Sequence, residues 1–306
     1  MKTSTRSVLG IEAHSLEIGG ISVTCLSDPA PTPWKADALL VGLTPQRMSE
    51  AEARLGVELV DAAAGTITIS FNTFLIRTSR NTILVDAGIG NDKQRHERPM
   101  WHERSEHYLQ ALEALGVQPD QVDMVITTHL HADHTGWNTR LEKGQWVPTF
   151  PRARYLCTSE ELDYWHARFK ADQAKGARTL FGSFEDSVLP VLQSGQLEPV
   201  ATDCSPLDGI RFVAAPGHSP GMIAVQIETG EQPLHLWSDI AHHPVQFLWN
   251  DIISIACTDA DQARQSRLDA IDRAYQAGAI VAATHFAAPV FGRLNRKAGQ
   301  VSIEGL

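Results

Sequence analysis

Four side chains able to bind a metal ion fall within six residues of this sequence, directly behind a buried strand. The run is Thr128-His129-Leu130-His131-Ala132-Asp133-His134-Thr135-Gly136. Ahead of it, residues 122–127 form a short apolar stretch with the length of a strand covered on both faces. In extended backbone alternate side chains share a side, so His129 and His131 project together and can grip one ion. If the chain then turns into a helix, Asp133 and His134 reach toward a neighbouring position. Imidazole with carboxylate suits zinc and similar first-row metals. A histidine-rich surface loop is the alternative, and it leaves the buried strand before the cluster unexplained.

Composition narrows the class. The chain has 306 residues, 43% hydrophobic and 20% charged, with a net charge of −10, an ordinary balance for a globular protein. No run approaches the roughly 18 apolar residues of a membrane span, so no membrane partner is expected. The first twenty residues carry Glu12 and Glu17 and no long apolar core, so no secretory signal is expected. Four dispersed cysteines (Cys25, Cys157, Cys204, Cys257) form neither a CxxC pair nor a disulfide scaffold, which fits a reducing cytoplasm. The acidic balance disfavours nucleic acid, whose binding depends on Lys and Arg.

Element signals mix strands and helices through both halves, which predicts an α/β architecture with covered sheets. Residues 1–65 read as an irregular extension packing on the main domain, with a strand at 21–26, prolines at 29, 31 and 33, and a short helix at 50–55. The main domain then occupies 66–306. Its strands are expected at 66–78, 82–85, 122–127, 210–214, 222–228, 234–238 and 279–283. Helices are expected at 103–115, after a Thr158-to-Glu161 capping box, and at 260–277 before Gly278.

Further donors sit where strands end, the usual place for sites in open α/β sheets. His218 lies in Ala215-Pro-Gly-His-Ser-Pro-Gly221, with Gly217 and Gly221 suited to the turns that present it. Asp239 follows the strand at 234–238, and His285 follows 279–284. Asp86 closes the strand at 82–85, either as a turn residue or as a brace for the ligand loop.

Taken in order, Asp86, His129-x-His131-x-Asp133-His134, His218, Asp239 and His285 resemble the five motifs of the metallo-β-lactamase-fold hydrolases, from about residue 66 to His285. The resemblance implies an αββα four-layer sandwich with a two-metal site at one edge. It implies that His129, His131 and His218 hold one divalent ion and that Asp133, His134 and His285 hold the other. Asp239 would bridge them and Asp86 would brace the loop. Zinc is the expected metal, with manganese, iron or cobalt as alternatives. The phrases His131-Ala-Asp-His-Thr-Gly-Trp137-Asn and Ser238-Asp-Ile-Ala-His-His-Pro244 resemble the methyl parathion hydrolase and acyl-homoserine-lactone lactonase branch. Flavodiiron proteins typically carry Glu where this chain has His131. Only 21 residues follow His285, which leaves no room for the helical domain of glyoxalase II-like relatives.

That branch implies a homodimer acting on a small-molecule substrate. Two cations can bring the pKa of a shared water from 15.7 to about 7, and the resulting hydroxide would attack a lactone or ester carbonyl. Phosphotriesters would be side substrates. Asp133 and Asp239 are the expected catalytic carboxylates: both anchor metal, and Asp239 or a metal-bound water can relay the proton. Trp137, Phe247, Trp249 and Phe286 read either as the wall of an apolar cleft or as core. His242 and His243 read equally as pocket lining and as backbone-bonded loop. No metal-side tyrosine is assigned, since Tyr155, Tyr164 and Tyr275 fit packing. The rival activities are a mononuclear iron thiol or persulfide dioxygenase on the same fold and a non-catalytic metal-binding protein.

Overall fold

Strand pairing forms two large mixed sheets, each inside its own unit, and three small antiparallel ones. The computed structural model describes residues 1–306. One unit comprises Met1–Asp28 with Asn72–Thr202, and the other Pro29–Phe71 with Asp203–Leu306.

The first unit carries an eight-stranded sheet in the order Lys2–Val8, Ile11–Ile18, Ile21–Ser27, Asn72–Arg77, Thr82–Val85, Met124–Ile126, Arg154–Thr158 and Leu197–Val200. Neighbours are antiparallel up to Thr82–Val85 and parallel beyond it. Tight turns join the first three strands: Leu9-Gly10 and Gly19-Gly20 take positive φ at both positions, the backbone that two-residue hairpins favour. Parallel strands need crossovers: Tyr108–Ala114 lies in the first, Ala132–Thr135 and the hairpin Thr139–Glu142/Gln145–Pro148 in the second, and Ser159–Gln173 with Leu189–Gln193 in the third. Met124–Ile126 is buried throughout. Its side chains join a core with Leu84, Tyr108, Leu112, Phe150 and Tyr155, each fully buried aliphatic contributing about 1.5–3 kcal/mol.

In the second unit the six-stranded order is Ile210–Ala214, Ile223–Ile227, Leu234–Leu236, Ile280–Ala282, Gly292–Lys297 and Gln300–Gly305. Leu234–Leu236 and Ile280–Ala282 run parallel, so the chain between them must cross over, and the helix Ala260–Gln276 does so. Asp259 caps that helix, its side chain accepting from Gln262 N at 2.9 Å. Ala263, Arg267, Ala270, Ile271 and Ala274 form its buried stripe at helical spacing. Residues 29–71 add the small sheet Thr32–Lys35, Thr66–Ile69, Val60–Asp61 and the helix Pro45–Leu55.

Residues 1–65, read from the sequence as an extension, fall in both units. The leader divides at Asp28/Pro29: its first part extends one sheet and its second part joins the other unit. The strand Lys2–Val8 escapes the sequence pattern because it is an edge strand, polar and almost wholly exposed. No helix is long and apolar enough to cross a membrane.

Candidate metal centre

In the first unit the ligand string leaves the end of Met124–Ile126. His129 is fully buried, and its ring centroid lies 4.5 Å from that of His131 and 4.0 Å from that of His134. His131 is the extended residue capping a short helix, Ala132–Thr135, which carries Asp133 and His134. His134 Nε2 lies 3.8 Å from Asp133 Oδ2. The chain bends at Thr128 and His129, then is extended at His131 and turns helical at Ala132, so only the second part of the expected path is followed.

Asp86 supports this loop from the end of Thr82–Val85. Its backbone sits in the left-handed region at φ +59°, which Asp tolerates better than most residues. Its carboxylate accepts from Thr128 N and Thr128 Oγ1 at 2.9 Å and from His134 Nδ1 at 2.8 Å. With Nδ1–H so committed, His134 keeps the Nε2 lone pair for a cation. Backbone bonds from Ala87 N to His134 O and from Gly136 N to Gly88 O tie the two segments together. Their approach requires Gly136, because a Cβ there would meet Ile89 O at 1.9 Å.

The second unit gathers His218, Asp239, His242 and His285. Asp239 Oδ2 lies 3.1 Å from His218 Nε2, 3.2 Å from His242 Nε2 and 3.2 Å from His285 Nε2. All four residues are at least 95% buried. His285 donates Nδ1–H to Ser70 O at 2.8 Å, so a neutral His285 faces the carboxylate with a lone pair. Two acceptors at 3.2 Å repel unless a proton or a metal cation lies between them. Burial alone would lower the His218 pKa, but the Asp239 carboxylate outweighs it and holds the ring up at about 9. Burial instead pushes His242 down to about 4, with the neighbouring His218 and His285 adding to the effect against Asp239. Asp239, His242 and His285 place ligand atoms within 4.8 Å of one another. Imidazole nitrogens converging on a carboxylate, dry and oriented from behind, are a donor set that fits a first-row divalent metal.

His218 owes its place to a glycine. Gly217 has φ +121°, and a Cβ there would sit 2.1 Å from Ala263 N in the first turn of Ala260–Gln276. Thr258 N donates to His218 O and Asp259 N to Gly217 O. Cys257 Sγ lies 3.6 Å from His218 Nδ1.

The two histidines left open by the sequence take different parts. His242 joins the Asp239 group. His243 is the loop residue: its Nδ1 accepts from Val245 N at 3.1 Å, and burial pushes its pKa to about 4. Nothing in the spacing separated them, because adjacent residues outside regular structure have no fixed relative direction. Three of the four aromatics read as cleft wall or core lie in the hydrophobic cores. Trp137 stacks on Tyr108 in the first core, and Phe247 and Phe286 meet edge to face in the second. All three are at least 95% buried, having been drawn into the cores by their apolar area. Trp249 is partly exposed beneath the Arg47 guanidinium, which lies 5.3 Å from its ring centroid. Tyr155 is a packing residue, donating its hydroxyl to Asn138 O.

Comparison with known proteins identifies the family. The model of the Metallo-beta-lactamase superfamily matches residues 70–285. An N-acyl homoserine lactonase of Bacillus cereus is 24% identical over 175 residues, 53% of this chain and 60% of the relative. One from a Bacillus species is 24% identical over 190 residues, 57% of this chain and 65% of the relative. The match thus spans less than two thirds of these curated relatives. Among solved structures, hydrolase AbOPH of the beta lactamase superfamily superposes with a TM-score of 0.80 at 23% identity, covering 98% of this chain and 99% of the other. AidC, a dizinc quorum-quenching lactonase in complex with a product, gives 0.73 at 21% identity, with coverage of 98% and 99%. With the family model matching most of its length and the motif residues in their expected order, this chain belongs to the metallo-β-lactamase superfamily.

Proposed function

We propose that this protein is a binuclear metal-dependent hydrolase that opens a lactone or cleaves an ester. The observation that carries the reading is the convergence of three imidazole Nε2 atoms on Asp239 Oδ2, a dry arrangement that a cation reconciles. His129, His131 and His218 would hold one ion and Asp133, His134 and His285 the other, with Asp239 shared. A bound pair supplies an acidified water and polarises the attacked oxygen. Asp239 offsets the positive charge and passes the water's proton from a carboxylate oxygen toward the leaving alkoxide. Asp86 fixes the orientation of His134, as Ser70 O fixes that of His285. No serine or cysteine nucleophile is required.

The substrate is proposed to be neutral and rather apolar. A net charge of −10 disfavours an anionic thioester, and the partly exposed Trp249 offers apolar contact. The curated relatives are lactonases by name, which favours a lactone over a phosphotriester as the better substrate. Apolar contact is worth about 25 cal/mol per Å² buried, so lengthening an acyl chain should raise kcat/KM a few-fold per step until the pocket is filled. A panel of N-acyl homoserine lactones of increasing length, run beside S-lactoylglutathione and an aryl phosphotriester with the metal-reconstituted protein, tests this. Lactones are expected to turn over fastest. Faster hydrolysis of the glutathione thioester than of every lactone and ester contradicts the proposal.

A further inference from the structure

One carboxylate behind the ligand string has no part in the mechanism above. Glu161 is fully buried in the first turn of Ser159–Gln173. As a capping-box residue it is expected to serve its own helix, and its backbone does: Glu161 N donates to Thr158 Oγ1 at 3.3 Å. The side chain also reaches another element. Glu161 Oε1 accepts from Leu130 N at 3.0 Å and from Trp165 Nε1 at 2.7 Å. Leu130 is the residue between His129 and His131, and Trp165 lies edge-on to the His131 ring with centroids 5.6 Å apart.

These contacts give Glu161 hold of both ends of one problem. The His129 and His131 rings meet with centroids 4.5 Å apart only while the backbone between them keeps its path, and that backbone has an N–H at Leu130 that lies outside any strand ladder. Glu161 satisfies it in the interior, where an unmet amide is costly. The same oxygen fixes Trp165, whose edge limits how the His131 ring can turn. Leu130 itself packs with Cys157, Leu162, Phe169, Phe184 and Val188, so the hydrogen bond and the apolar contact seat one residue from two sides.

We infer that Glu161 is a positioning residue for the His129–His131 pair, acting through the Leu130 amide and the Trp165 ring, an inference that rests on the metal-site reading above. What matters on this account is the reach of its oxygen rather than its charge. Glu161→Gln keeps an oxygen acceptor at the same distance without the charge. Glu161→Asp keeps the charge but withdraws the oxygen by one methylene. Glu161→Ala removes both.

The test is a cobalt(II) titration of the metal-free full chain, read by visible absorption, with circular dichroism to verify folding. Glu161→Asp and Glu161→Ala should bind cobalt on the order of 10–100-fold more weakly, the usual cost of losing an outer contact, with an altered visible band. Glu161→Gln should stay within a few-fold of the parent and keep its spectrum. A folded Asp variant with parental affinity and spectrum overturns the inference, as does a Gln variant that behaves like Ala. Should the Ala variant fail to fold, the Asp and Gln variants decide. If the parent chain itself takes up no cobalt, it is the metal-site reading that fails.

Discussion

Asp86 Oδ2 accepts a 2.8 Å hydrogen bond from His134 Nδ1, and both side chains are at least 99% buried. The same carboxylate holds the backbone and hydroxyl of Thr128, so one residue at a strand end fixes both ends of the ligand string. Asp86→Asn tolerates the left-handed backbone but replaces one acceptor oxygen by a donor, which cannot satisfy both Thr128 and His134. We expect a loss of about 1–3 kcal/mol in stability and roughly 10–100-fold weaker metal binding. Urea denaturation and metal titration of the variant check the two effects separately.

Asp239→Asn should spare the fold and injure the site. The amide keeps the shape but removes the negative charge around which His218, His242 and His285 are arranged. Metal occupancy and kcat should fall together, with the thermal midpoint of the metal-free protein little changed. A variant with both ions retained and a near-parental rate would show that Asp239 is not shared between the metals.

The path of the His129–His134 string was legible in part: an extended His131 and a following helical turn are as the spacing suggests, while the bend at Thr128 and His129 left no signal. Asp86, His218, Asp239 and His285 were legible as donors repeated at strand ends, where sheet and loop geometry converge. Other features were not. Lys2–Val8 carries no apolar face, so only its pairing with Ile11–Ile18 reveals it as a strand. Trp137, Phe247 and Phe286 flank the motifs in sequence yet pack inward, since neighbourhood along a chain does not determine side-chain direction. Glu161 looks like any helix-capping carboxylate until Leu130 is placed beside it.

Lys93 predicts a pH effect on stability. It is fully buried, with Nζ 2.6 Å from Thr139 Oγ1, 3.6 Å from the Trp146 ring centroid and 3.7 Å from Asp186 Oδ1. Burial lowers its pKa from 10.5 to about 7, with Asp186 opposing and Arg95 adding to the shift. Between those two values the unfolded chain holds a proton that the folded chain has released. Stability contributed by this residue therefore rises with pH across that window and is smallest below about pH 7. Lys93→Met should flatten the rise, a difference on the order of a few kcal/mol between urea unfolding at pH 6.5 and pH 9.5. Parallel pH curves for parent and variant would contradict this.

Gly217→Ala should be among the most damaging single-methyl changes. Its Cβ would collide with Ala263 N at 2.1 Å, and φ +121° is foreign to alanine. The turn must move to relieve this, carrying His218 with it. A cost of about 3 kcal/mol or more is expected, along with weakened metal binding. Thermal unfolding and cobalt titration report the two.

The most direct test of the account is elemental analysis of the folded, reconstituted chain beside its His131→Ala variant. The seven donors His129, His131, Asp133, His134, His218, Asp239 and His285 predict two divalent ions per chain, with occupancy reduced and turnover nearly abolished in the variant. One ion or none per folded parent chain would contradict the binuclear mechanism, and a single iron would point instead to a dioxygenase on the same fold.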